Sequence, residues 1–273
     1  MKNIIGMIVL LIGTAAFASV DPVAEQAAAA RKTMFEDRDF AKAQAMYEKI
    51  VKDKATTNQV ILSGAQSGVG MCLVRQGKFS EAQAAFAKAI SGYPAIDARH
   101  KANAASLSAS AYLSSYEYDK AIQTARDGIR IYPDAGDTAL AQFQLLIGYG
   151  FFRQKDYDNA LLEFEKVLKN YPKATYVPTL FDAQNKIGDM LQLKNKPSEA
   201  NAAWMLAVQN YVWELGAKDE AGSIWKTFDK ISPKLSTTED YKSFLENTIR
   251  ATRATEDNAK FLGKLKSELG KLQ

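Results

Sequence analysis

At 273 residues, the chain is long enough for one or two ordinary domains or one extended repeat array. Its 47% hydrophobic and 24% charged content excludes wholesale disorder. The formal charge of +4 comes from 35 basic and 31 acidic residues spread along the chain, so no clustered basic face for nucleic acid is expected.

The first segment follows the three-part plan of an export signal. Lys2 precedes an apolar core, Ile4 to Ile12, and small residues lead to Ala16-Phe17-Ala18, a cleavage pattern. The expectation is a signal peptide over 1–18, cleaved after Ala18, and a periplasmic or secreted mature chain. A retained anchor is the competing reading, since residues 3–20 carry no charge, but the apolar core is too short to span and ends at Gly13-Thr14. No Cys follows the core, which excludes a lipid-modified N-terminus, and no second long apolar stretch predicts stable membrane insertion after cleavage.

From residue 40 onward one pattern recurs. An aromatic residue, two polar or small residues and an Ala are followed by further packing positions four and seven residues after the Ala. The instances begin at Phe40, Phe79, Tyr118, Tyr157 and Pro197, and their Ala anchors are Ala43, Ala82, Ala121, Ala160 and Ala200. The anchors are separated by 39, 39, 39 and 40 residues, a regularity that signals stacked supersecondary units. Upstream of the anchors lie apolar segments at helical spacing: Val69, Gly70 and Leu73; Ile147, Gly148 and Phe151; Ile187, Gly188 and Leu191. Their glycines are expected where two helices cross closely. Short polar turns such as Arg75-Gln76-Gly77-Lys78 follow, and Tyr93-Pro94, Tyr132-Pro133 and Tyr171-Pro172 end the second helices. Abundant Ala, only 7 Pro and the lack of alternating β-branched runs agree with an all-helical chain.

These segments resemble the tetratricopeptide repeat (TPR) consensus. Val69-Gly70, Leu73, Gly77, Phe79, Ala82, Phe86, Ala89 and Pro94 match its signature positions in order, and Ile147 to Pro172 nearly so. The Ser106 to Pro133 unit has small residues where bulky ones are usual. The first unit has Arg31 at the glycine-like position, and the fifth has Pro197 and Val212 in place of the aromatic and final Pro. The period exceeds the usual one of about 34, so helices or links must be longer. The Tyr-Pro endings are similar to those of bacterial envelope TPR proteins, including the periplasmic partner of the Tol–Pal system. The resemblance implies an all-α fold, a right-handed superhelical array of antiparallel helix pairs over 19–213, with capping helices over 214–273.

In that last region Gly216 to Lys230 reads as one amphipathic helix carrying Ala221, Ile224, Trp225 and Phe228. Ser236-Thr237-Thr238-Glu239 matches a capping box, with Tyr241, Phe244, Leu245 and Ile249 as the apolar face behind it. Phe261, Leu262, Leu265 and Leu269 form a last stripe.

Chemistry is sparsely signalled. The glycines of Gly64-x-x-x-Gly68-x-Gly70 fall inside the helical pattern without the Lys-Ser/Thr of a phosphate loop. Lone Cys72 reads as a buried thiol and lone His100 as a surface residue between repeats. No cofactor or metal site is nominated, although counting leaves carboxylate sites for Ca²⁺ open. What remains is a surface. In TPR arrays the first helix of each pair lines the concave side, and the resemblance implies groove positions at Ser67, Met71 and Arg75; Asn103, Ser106 and Ser110; Leu145, Tyr149 and Arg153; and Asn185, Asp189 and Gln192. Tyr149 with Phe152 and the two arginines is the expected hot spot. The function expected is a non-catalytic scaffold that holds a protein or peptide partner in the cell envelope. The alternatives are a structural subunit self-associating through the C-terminal helices and a cell-wall-processing enzyme.

Overall fold

The computed structural model describes residues 21–53, 56–216 and 222–272. The signal-peptide expectation over 1–18, and the part of the Gly216 to Lys230 helix that includes Ala221, lie outside the described residues. The chain divides into two compact units, Met1–Gln154 and Lys155–Gln273. Every regular element among the described residues is a helix.

The first unit contains α1 (Pro22–Lys32), α2 (Phe40–Lys52), α3 (Gln59–Arg75), α4 (Phe79–Ser91), α5 (Ala98–Ser114), α6 (Tyr118–Ile131) and α7 (Asp137–Arg153). The second contains α8 (Tyr157–Asn170), α9 (Val177–Leu193), α10 (Pro197–Leu215), α11 (Ser223–Phe228), α12 (Thr238–Ala251) and α13 (Ala259–Gly270). Within the first unit consecutive helices pack on one another, and α3, α5 and α7 also touch in sequence. The odd-numbered helices α1 to α9 are the A helices of each pair, and α2 to α10 are the B helices.

The repeat pattern is a packing code. Each B helix begins three residues before its anchor, and all five anchor alanines are 0% exposed, so no larger side chain fits there. Four residues further on, Tyr47, Phe86, Phe164 and Trp204 are buried. A Cβ on Gly70 would stand 2.6 Å from the Phe86 ring, and one on Gly188 would strike Trp204, which confirms the close crossings. The third repeat has only Ala125 at the aromatic position. There Phe143 of α7, fully buried, lies so close over Gly128 of α6 that a Cβ could not fit. A bulky side chain from the next helix fills the volume that this repeat does not supply.

The A-to-B turns are equally regular. Arg38, Gly77, Tyr116, Lys155 and Asn195, each five residues before its anchor, all adopt positive φ, from 56° to 78°. The amide after Gly77 donates to the Leu73 carbonyl at 2.9 Å, and Tyr112 and Leu191 accept equivalent bonds, the pattern that ends a helix with a left-handed residue. In the first repeat the turn is widened by a π-helical stretch, Thr33–Asp37, before Asp39 caps α2 through Lys42 N at 3.0 Å. Gln76 Nε2 donates to Gln44 Oε1 (2.7 Å), Gln154 Nε2 to Asp119 Oδ1 (2.6 Å), and Lys194 pairs with Asp158. These three residues, each six before an anchor, tie an A helix to the start of the preceding B helix.

Two C-terminal expectations are corrected. The described helix after Gly216 is short, Ser223–Phe228. The capping box is shifted by one residue: Thr237 is the N-cap and accepts from Asp240 N at 3.0 Å. Ser236 is not available for that role, because its Oγ accepts from the fully buried Asn201 at 2.7 Å, while Asn201 Oδ1 accepts from Ser232 N at 2.7 Å. Trp225, Phe228, Tyr241, Phe244 and Phe261 form an aromatic core, with Phe228–Phe261 ring centroids 5.4 Å apart. Among the described residues no helix is long and apolar enough to cross a membrane.

Candidate functional site

In the first unit α3 is flanked by α2 and α4, and α5 by α4 and α6, and on α3 glycines mark the two contacts. On α3, Gly70 lies against Phe86 of α4 and Gly68 against Tyr47 of α2. At 3.6 residues per turn, Gly64, Ser67, Met71 and Arg75 form a stripe about a quarter-turn from both contacts. The same register on α5 holds Asn103, Ser106, Ser110 and Ser114, with Arg99 one turn before it, and on α7 it holds Gln142, Leu145, Tyr149 and Arg153.

The expected groove residues divide into two classes. Ser67, Met71, Ser106, Ser110, Leu145 and Tyr149 are buried, at 1–8% exposure. They floor the stripe and offer little area to a partner. The cause is the composition of α5, where Ala102, Ala105, Ser106, Ala109 and Ser110 let the neighbouring A helices close over them. Arg75, Asn103, Phe152 and Arg153 are half-buried. The Arg153 guanidinium lies 5.9 Å from the centre of the Phe152 ring. Burial and the neighbouring Arg38 charge hold the Arg75 pKa below its ordinary value.

Gln142 and Arg99 were not among the expected residues. Gln142 is 3% exposed, and its Nε2 has no hydrogen-bond partner. It stands 18 residues before its anchor, as Asn103 does, so extending the groove register back to the Asn103 position on α7 would have found it.

On α9 of the second unit the expected positions are already engaged. Lys230 donates to Asn185 Oδ1 (2.9 Å) and Asp189 Oδ1 (2.7 Å), and Lys186 to Asp189 Oδ2 (2.7 Å). Trp204 Nε1 also reaches Asp189 Oδ1 at 3.2 Å, and Lys230 lies over the Trp204 ring. Burial pushes the Asp189 carboxyl up, but the two lysines outweigh it and hold it below the ordinary value of 3.8. The segment after α11 thus covers Asn185 and Asp189, and only Gln192 of the three stays exposed.

The lone reactive residue types serve structure. Cys72 is fully buried, its Sγ lies 3.5 Å from Met34 Sδ, and burial pushes its thiol up to about 12. His100 is half-buried rather than free on the surface, with Nδ1 2.6 Å from Asp97 Oδ1 at the N-terminus of α5.

Comparison with known proteins agrees with this architecture. Two family models described as tetratricopeptide repeat match residues 70–136 and 142–174. No curated protein sequence matches the chain. Among solved structures, a Podosopora anserina protein with nearly identical TPR-like repeats aligns at 14% identity with a TM-score of 0.53, covering 69% of this chain and 93% of that one. A second structure of those repeats gives 14% identity and 0.52, covering 69% and 94%. BtubC from P. vanneervenii aligns at 13% identity and 0.48, covering 92% and 91%. At such identity the first two bear on fold alone. The packed alanine anchors, the recurring left-handed turns and the matched segments lead to one conclusion: this chain carries tetratricopeptide repeats.

Proposed function

We propose that the chain is a non-catalytic scaffold that holds a segment of a partner protein along the α3–α5–α7 stripe. Tetratricopeptide repeats make protein–protein interaction the general expectation, and one observation carries the finer reading. Gln142 buries an amide donor without a partner, on the same helical face as Leu145, Tyr149 and Arg153. Leaving such a group unsatisfied costs about 1–3 kcal/mol, a cost that a ligand carbonyl would relieve. An envelope location rests on the Lys2 to Ala18 pattern alone.

The test is crosslinking in native envelope preparations followed by mass spectrometry, comparing wild type with Gln142→Leu. Leu is close in volume to Gln and carries no donor, so the fold is kept. The proposal expects crosslinks on α3, α5 and α7, with yield reduced about tenfold in the variant, the equivalent of one lost hydrogen bond. Equal yield in the variant, or crosslinks confined to α12 and α13 between copies of the chain, would overturn it and favour a self-associating subunit.

A further inference from the structure

The turn between α5 and α6 holds an open cleft of about 290 Å³, lined by Tyr116, Glu117, Tyr118, Asp119, Lys120 and Gln154. Packing does not account for Tyr116. Its side chain is 69% exposed, more than any other large apolar or aromatic side chain among the described residues. It also sits at φ 65°, whereas two of the four equivalent turns use Gly77 and Asn195 there. The ring thus buries little area while its Cβ strains the backbone. It meets Tyr118 edge to face, with centroids 6.3 Å apart and planes at 72°, which leaves aromatic surface open to the cleft.

The polar groups beside the rings are held in place but only partly used. Gln154 Nε2 donates to Asp119 Oδ1 at 2.6 Å. Glu117 accepts from Lys120 Nζ at 2.6 Å and from Ser115 Oγ at 2.9 Å, and the Lys120 ammonium lies 5.7 Å from the centre of the Tyr112 ring. Asp119 Oδ2, Gln154 Oε1 and the hydroxyls of Tyr116 and Tyr118 carry no hydrogen bond among the described residues. A negative aromatic face beside fixed acceptors suits a molecule with an apolar C–H face and a rim of hydroxyls. Charge selects against ions of either sign, since an anion meets Glu117 and Asp119 and a cation meets Lys120.

We infer that this turn binds a neutral saccharide. The C–H face of one sugar ring stacks on Tyr116, and its hydroxyls donate to Asp119 Oδ2 and Gln154 Oε1. The cleft lies near the lower end of the range of about 300–1,000 Å³ for ligand sites, which gives room for about one or two sugar rings. The site is separate from the α3–α5–α7 stripe, and either can stand without the other.

The experiment is saturation-transfer-difference NMR on the full chain with chitotetraose, cellotetraose and maltotetraose. An anionic galacturonate oligomer, a cationic chitosan oligomer and a proline-rich peptide are run alongside. At least one neutral tetrasaccharide is expected to show saturable transfer, strongest on the C–H protons of one ring face, and to bind about tenfold tighter than the charged sugars. Tyr116→Phe should keep most of that affinity. Tyr116→Gly should weaken it about tenfold while melting at or above the wild-type temperature, because glycine suits φ 65°. Asp119→Ala, at an exposed position, should weaken it severalfold. If Tyr116→Gly melts lower, Asp119→Ala decides alone, and unchanged binding there sinks the inference. Failure of all three neutral sugars to bind, equal or tighter binding of a charged sugar or the peptide, or undiminished binding by Tyr116→Gly would each overturn it.

Discussion

The Gln142 amide is costly in the free protein. Replacing it with an apolar group of similar size removes an unsatisfied donor, so Gln142→Leu should raise stability by about 1 kcal/mol, read as a higher urea midpoint at unchanged slope. A lower midpoint would mean the amide has a structural partner. Asp189 makes the opposite case, a half-buried carboxylate with several donors. Because its folded pKa is depressed, its contribution is full above the ordinary value of 3.8 and fades as pH falls through the lower folded value. Asp189→Asn should therefore lower the urea midpoint at pH 7, and the gap to wild type should narrow at pH 3. A gap independent of pH would show that the charge is immaterial.

At the level of helices and turns, the positive-φ residue five before each anchor is the least economical feature of the sequence. Gly77 and Asn195 suit the left-handed region, whereas Arg38, Tyr116 and Lys155 are strained there by about 1 kcal/mol each. Lys155→Gly should raise the urea midpoint by the equivalent of 0.5–1 kcal/mol, roughly what relief of the Cβ clash allows after the entropy of glycine is subtracted. No change would indicate that the Lys155 side chain stabilises the turn by as much. The elements themselves were legible because the anchor alanines, the glycines under Phe86 and Trp204 and the Tyr-Pro stops are each a local steric requirement. What was not legible depended on partners distant in sequence. Phe143 filling the third repeat, Ser236 diverted to Asn201 and Lys230 lying on Asn185 and Asp189 follow from no spacing rule. The helical face shared by the expected groove positions was readable, but the burial of Ser106 and Tyr149 was not, because it is set by how closely neighbouring A helices approach.

Across the whole chain, the two units differ in what they report. All three tryptophans, Trp204, Trp213 and Trp225, belong to the second unit, so emission excited at the indole band follows that unit alone. Its C-terminal core depends on Phe261 and Leu265 of α13, both 0% exposed. Truncation after Asn258 removes them and exposes Trp225 and Phe228. Burying a large side chain is worth about 1.5–3 kcal/mol, so the loss should amount to several kcal/mol. The tryptophan midpoint should fall well below that of the far-ultraviolet dichroism, which also counts the first unit. Coincident transitions in the truncated chain would mean that the two units unfold as one.

The helices of the first unit are unequal. α3, α5 and α7 have 17 residues each, while α2, α4 and α6 have 13, 13 and 14. The tight A-to-B turns align one end of each pair, so the surplus, about one helical turn, falls at the start of each A helix. There Val60, Arg99 and Thr138 are less covered than the residues that follow them. Amide protons in these first turns should therefore exchange with deuterium well before those near Gly70 or Gly148, giving each A helix a frayed end and a locked end in the native state.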